Sequence, residues 1–566
     1  MSGRTPHVGG RGMPPRASVP VRVLRWLFPD RKRDWPPPGR IKRMRGFIIV
    51  GAAAVLTVSG IAAGPQAVAR ARCAQWPWSD IWNDAGECVG VSTGSYDFGA
   101  PFQGVMRKIG SLNTQEPCAG SGSAPAPVNV GVLVTLNSLN TGIRAVHELE
   151  GFAAALQQSQ QQGTHAYISA CPYEIRLDVA QMGDNEQAAV QDARILAGRH
   201  VEAVVGMGLS SEQSALAAVL LDQDQIPMVA DVITAEGFDQ NGSAADHPDF
   251  SSCRDPGQSS AGPRTYEQGL GQEFFRVAPR NYQQVNTIAT YIASIHPAGP
   301  RFIVEPDDTT DPYNCTTLPL IATSLSQGPA GNQPFQLYFD SGDSGIGQGE
   351  PAQKICQQTE PVTVFYAARA VELGTFLSDL IRLRNQDDCD PKPITVLSLS
   401  DAAQLRVQAP TPGLEAIREQ VLRSGDLAGN WLRLLYTPLA DPDLLSASPP
   451  PGYQSLADGM RKEGFPIQDL ADGWAIMSYD ALAAVATALG SPQMATLGSP
   501  QIATSQLQSV LDSGLHIAGA DGTFWFDSQD AGNRSGPSPV LVRLCPSGDQ
   551  VTTVPVQPGT ITSCSN

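Results

Sequence analysis

From residue 128 onward the chain alternates two hydrophobic patterns. VNVGVLVTL at 128–136 is a nearly unbroken apolar run, the form a strand takes when both faces of a parallel sheet are covered. A stretch with helical spacing follows at about 145–161. The alternation then repeats, with strands over 173–179, 203–205 and 226–229 and helices over 185–198 and 211–221. A polar Gly/Ser/Asp-rich stretch at 239–272 interrupts it and reads as a surface insertion. A second series begins near Arg276, with helices over 283–295, 318–326 and 370–383 and strands over 301–304, 336–339, 362–366 and 394–399. Alternation of this kind predicts βαβ units on parallel sheets, and two series predict two α/β lobes. A chain of 566 residues has the length for them, since single cores stop growing near ~250–300 residues.

Upstream of the alternating region the pattern changes. Residues 46–64, GFIIVGAAAVLTVSGIAAG, carry no charge and follow Arg40, Lys42, Arg43 and Arg45. The run is long enough for one transmembrane helix, expected over 47–64, and the flanking positive residues place a basic tail, 1–46, in the cytoplasm and the rest of the chain outside. The same features also fit a cleavable signal peptide cut near Ala69 or Ala71; both readings export the large part. Residues 65–127, rich in Pro, Gly and Ser and containing Trp76, Trp78 and Trp82, read as a membrane-proximal stalk or cap. LGSPQMAT at 489–496 is repeated at once as LGSPQIAT at 497–504, which lengthens a surface loop.

Charge sharpens this division. The net charge is −17, yet residues 1–46 hold twelve Lys and Arg against Asp30 and Asp34, a net of +10, so the remainder stands at −27. Nucleic acid is thereby excluded as a partner of the large part, because phosphate recognition needs a basic surface. All ten cysteines, Cys73, Cys88, Cys118, Cys171, Cys253, Cys315, Cys356, Cys389, Cys545 and Cys564, lie beyond the apolar span, and an even number in an oxidising compartment favours disulfides. Pairs 118–171 and 356–389 fit the strand order; 73–88 would close a small loop, 253–315 would tie the insertion to the second lobe and 545–564 would close a C-terminal hairpin, with connectivity open. Metal binding is disfavoured, since no C-x-x-C or H-x-x-x-H spacing occurs.

Four segments in fixed order carry a resemblance: VGVLVTL with its following helix, VEAVVGMGLSSEQSALAAVLLDQDQIPMVAD at 201–231, FFRVAPRNYQQVNTIATYI at 274–292, and GWAIMSYDALAAVATAL at 473–489 followed by ADGTFWFDSQDAG at 520–532. Together they resemble the type I periplasmic binding proteins, the leucine/isoleucine/valine-binding family, over roughly 128–544. The resemblance implies an α/β fold of two lobes, each with a parallel sheet, joined by a hinge of three crossings. Those crossings are expected at 275–280, at 431–436 and after Leu515. The lobes of a 128–566 domain would then be about 128–278 with 432–515, and 281–430 with 516–566.

Ligands of open α/β sheets sit beyond the carboxyl ends of the strands, where helix N-termini direct N–H groups at anions. Here the loop with Gly208, Leu209, Ser210 and Ser211 leaves a buried strand and opens a helix. The resemblance makes it a carboxylate-holding loop; the serines also serve as plain helix caps. By the same resemblance Asp231 and Thr234 lie in a second contact loop, Asp231 facing a ligand ammonium or a solvated turn. Tyr313 and Asp401 lie at strand ends of the second lobe, and the 137–142 loop faces the cleft. Tyr479 and Asp480 are expected to pack. The acidic run around Asp307, Asp308 and Asp311 lacks the spacing of a known calcium loop.

Enzymatic readings fail on context. Gly342-Asp343-Ser344-Gly345 spells the nucleophile segment of a serine protease, but no His and Asp partners accompany it in a β-barrel. No phosphate loop, nucleophile elbow or paired-carboxylate motif occurs, and no cofactor is expected. The sequence therefore predicts a membrane-anchored extracytoplasmic domain that captures a small polar solute, an amino acid or similar zwitterion, by lobe closure and delivers it to an ABC permease. The alternative is a ligand-sensing or scaffold ectodomain acting through a membrane partner.

Overall fold

The computed structural model describes residues 73, 80–84, 86–115, 126–136, 140–160, 169–171, 173–242, 269–307, 311–326, 333–340, 348–495, 504–548 and 550–564. The chain forms two units, Met1–Trp82 and Asn83–Asn566. The expected tail and the expected transmembrane helix at 47–64 lie outside the described residues, among which no helix is long and apolar enough to cross a membrane.

In chain order the strands are β1 (Ile81–Asp84), β2 (Glu87–Ser92), β3 (Ala126–Val134), β4 (Tyr173–Gln181), β5 (Ala203–Gly206), β6 (Met228–Ala230), β7 (Phe274–Arg276), β8 (Arg301–Pro306), β9 (Phe335–Phe339), β10 (Val362–Tyr366), β11 (Ile394–Ser398), β12 (Leu432–Tyr436), β13 (Ile517–Gly519), β14 (Gly522–Phe526), β15 (Arg534–Ser535), β16 (Val542–Ser547) and β17 (Gln550–Pro555). Within the second unit, one lobe is built on the order β2-β4-β3-β5-β6-β7, parallel except for β2. The other follows β17-β16-β12-β11-β10-β8-β9, with β16 and β17 antiparallel. The apolar runs are thus parallel strands buried on both faces: Val130, Val132, Leu133 and Val134 are fully covered.

Caps set the helix starts. Asn185 accepts the Ala188 N–H at 2.8 Å and Ser211 accepts the Ser214 N–H at 3.3 Å, so the helices begin at Glu186 and Glu212. Helix Trp474–Leu489, mostly apolar, lies in the interior against helix Arg144–Ser159, which is buried along its whole length. They approach so closely that a Cβ on Gly151 would collide with Ser478 Oγ and the Ala475 carbonyl.

From β2 onward the described part of the expected stalk belongs instead to the first lobe. β2 pairs with β4, helix Gln103–Leu112 buries Val105, Met106, Ile109 and Leu112, and Asn113 exchanges hydrogen bonds of 2.9 and 2.8 Å with the Leu177 backbone. Turn residues between these short elements hide their periodicity. The lobe limits also differ from expectation. β12 lies inside the second sheet, parallel to β11, because its apolar pattern runs on to Tyr436 before Pro438 ends the ladder. Strands β14 and β15 stay with the first lobe: Phe526 packs 5.1 Å from Phe275, and buried Arg276 donates to Asn533 Oδ1 at 2.8 and 2.6 Å. The crossings therefore fall at 277–280, 437–441 and 536–541.

Disulfides join Cys356 to Cys389 and Cys545 to Cys564. Cys73, Cys88, Cys171 and Cys315 are also disulfide-bonded, and Cys118 and Cys253 lie outside the described residues.

Candidate functional site

Beyond the end of β5 the backbone turns left-handed three times in succession, at Gly206, Met207 and Gly208, with φ of 93°, 74° and 66°. Glycine takes this conformation freely and methionine at a cost. Space also demands glycine, since a Cβ on Gly208 would stand 3.0 Å from Thr135 Oγ1 and 2.8 Å from Met182 Cε. The turn carries Leu209, Ser210 and Ser211 into the cleft between the lobes, and the N-terminus of helix Glu212–Gln223 opens beside a cavity of about 380 Å³. Thr135, Asn140, Asp184 and residues 209–213 line its first-lobe wall; Asp311, Pro312 and Arg369 line the second-lobe wall.

Arg369 organises the second wall. Its Nε donates to Asp311 Oδ2 at 2.9 Å, while Nη2 donates to Asp311 Oδ1 at 3.1 Å and across the cleft to the Ser210 carbonyl at 2.8 Å. The guanidinium stands 4.4 Å from the centroid of the Tyr313 ring, a cation–π arrangement. Nη1 makes no bond to a described residue. Burial disfavours the charge, but Asp311 and Asp401 outweigh it and hold the Arg369 pKa above its ordinary value.

The cleft brings together some of the sequence-predicted residues and withdraws others. Leu209, Ser210 and Ser211 line the cavity. Ser210 is 1% exposed, and its Oγ accepts the Thr234 and Ala235 N–H groups at 3.0 and 3.1 Å. Thr234 is thus tied to the 208–211 loop through its backbone. Gly208, Thr234, Tyr313 and Asp401 stand behind the walls: Tyr313 underlies Arg369, and Asp401 Oδ1 accepts from Arg144 Nη1 at 2.6 Å. Arg144 and Arg369 together outweigh the burial that would raise Asp401, and hold its carboxyl below its ordinary pKa.

Asp231 faces neither cleft nor solvent. It is fully buried against Glu148, and burial pushes its pKa up to about 8 and that of Glu148 well above the carboxylate range. Beside it, His147 Nδ1 lies 2.7 Å from Asp472 Oδ2. Burial opposes the charge on His147, yet Asp472 and Asp469 raise its pKa; burial and Asp469 push Glu150 to about 8.

Arg369, Arg144 and Asp184 were not singled out in the sequence. Arg369 sits three residues past β10, so the strand-end rule that selected Ser210 would have found it in the second lobe. Arg144 is a cation at the first turn of its helix, where the dipole disfavours it; that misfit is its signal.

No protein-family model matches the sequence, and no curated protein matches it. The structure is similar to that of a leucine-binding protein from Thermotoga maritima, with a TM-score of 0.50, 16% identity and coverage of 76% of this chain and 99% of that one. A solute-binding protein from R. palustris, in complex with 4-hydroxybenzoate, gives a TM-score of 0.50 at 13% identity over 76% and 98% of the two chains. An ABC transporter substrate-binding protein from Sphaerobacter thermophilus gives 0.50 at 16% identity over 76% and 97%.

Proposed function

We propose that this chain, which has the type I periplasmic binding fold, is an extracytoplasmic solute-binding protein that captures a small zwitterion between its lobes. The observation that carries the reading is the composition of the interlobe cavity. One arginine whose Nη1 makes no bond to a described residue and a helix N-terminus suit a carboxylate, while Asp184, Glu212 and Asp311 suit an ammonium. Enclosure strengthens such bonds by excluding water. Function rests on binding rather than catalysis. A membrane anchor at 47–64 would tether the domain beside an ABC permease and raise its local concentration.

Native mass spectrometry of the gently purified full chain tests the reading. A bound small molecule, displaced stoichiometrically by added amino acid or a related zwitterion, supports it. A protein with no adduct that takes up none of these compounds at millimolar concentration refutes it. The second reading, a scaffold ectodomain, is favoured by one observation: the chain makes its own bonds across the cleft, from Arg144 to Asp401 and from Arg369 to the Ser210 carbonyl.

A further inference from the structure

Two arginines cross the cleft in opposite directions. Arg144, from the first lobe, reaches Asp401 in the second; Arg369, from the second lobe, reaches the Ser210 carbonyl in the first. Both members of the first pair are buried, with side chains 1% and 7% exposed. Each is also held from within its own lobe. Arg144 donates Nη2 to the Asn140 carbonyl and stands 4.6 Å from the Trp474 ring centroid, both within its own lobe. Asp401 Oδ2 accepts the Ala370 N–H of its own lobe at 3.1 Å. Little orientational freedom therefore remains to be lost on pairing. At the rim, a Cβ on Gly142 would stand 3.1 Å from Pro410 Cβ, so the lobes touch there too.

A buried ion pair adds modestly to stability because desolvation offsets attraction, but it selects the one arrangement in which neither charge is stranded. Here that arrangement is the closed cleft, and the molecule completes it from its own side chains. We propose that Arg144 and Asp401, seconded by Arg369 on the Ser210 carbonyl, latch the two lobes closed without any solute. The latch occupies the deep end of the cleft and leaves the outer cavity, bounded by Asp184, Gln213 and Arg369, for a ligand. The proposal concerns the same cleft as solute capture, but its test needs no ligand, so either can fail alone.

The test is an interlobe distance in the full chain without added solute. Spin labels are attached through bioorthogonal residues at exposed Asp224 in the first lobe and exposed Gln420 in the second, and read by pulsed dipolar spectroscopy. Wild type should give one narrow distribution that added zwitterions leave in place. Arg144→Ala and Asp401→Ala should shift it to longer distances, and the exchange Arg144→Asp with Asp401→Arg should return it toward the wild-type value. Should an alanine variant lose its folded circular dichroism spectrum, Asp401→Asn, which keeps shape and loses charge, decides in its place. A broad or long distribution in solute-free wild type overturns the latch, as does a wild-type distance in the folded single variants.

Discussion

At the scale of single residues, the two serines of the cavity loop divide their duties. Ser210 Oγ satisfies two buried N–H groups, whereas Ser211 caps a helix. Replacing Ser210 with Ala should cost about 1–3 kcal/mol per stranded donor, and Ser211→Ala about 1 kcal/mol; urea unfolding of each variant separates the two. Equal costs would deny Ser210 its structural role. The acidic group of the first lobe sets a pH dependence. Asp231 and Glu150 have folded-state pKa values near 8, above the ~4 of an unfolded carboxyl. The folded state thus keeps protons that the unfolded chain releases, and this stability is full in acid and is lost as pH rises toward 8. His147, raised as well, acts in the same direction. Denaturant midpoints should be higher at pH 5.5 than at pH 8.5, and Glu148→Gln should flatten the difference. A rise in stability with pH across this window would contradict the assignment. None of this is legible in the sequence, where Asp231 reads as a ligand contact or a solvated turn residue; its carboxyl meets Glu148, 83 residues upstream, only through the packing of that helix.

At the scale of elements, the molecule depends on close approach between helices Arg144–Ser159 and Trp474–Leu489, which set the floor of the cleft through Arg144 and Trp474. Gly151 allows it. Gly151→Ala should destabilise the domain by about 1–3 kcal/mol through overpacking, while Gly198→Ala, where an added Cβ meets nothing within 4 Å, should be neutral or gain a few tenths to about 1 kcal/mol. Thermal unfolding of the pair checks both, and similar midpoints would mean that the helices have room to part. The parallel strands were legible because burial on both faces leaves an unbroken apolar run, as in β3, β10 and β11. The helix starts were legible where a cap marks them, at Asn185 and Ser211. β2 and helix Gln103–Leu112 were missed because Gly and Trp residues around them mask the periods. The third crossing lies about twenty residues beyond the position the pattern suggests, because the short strands β13–β15, with their glycine turns, read as second-lobe material; the Arg276–Asn533 bonds that hold them to the first lobe join residues far apart in sequence.

At the scale of the whole molecule, a two-lobe fold of low identity to solute-binding structures carries a charged cavity at the strand ends and its own bonds across the cleft. Uptake of a solute by that cavity is the central claim. The decisive measurement is thermal unfolding of wild type and Gln213→Trp, whose indole would fill the cavity from the first turn of helix Glu212–Gln223, against a panel of amino acids, amides, aromatic acids and sugars. A solute at a hundredfold excess over its Kd adds about 2.7 kcal/mol, a rise of a few degrees. Such a rise is expected with a zwitterion in wild type, and its loss in Gln213→Trp. No rise with any compound, or an equal rise in both proteins, would contradict that claim.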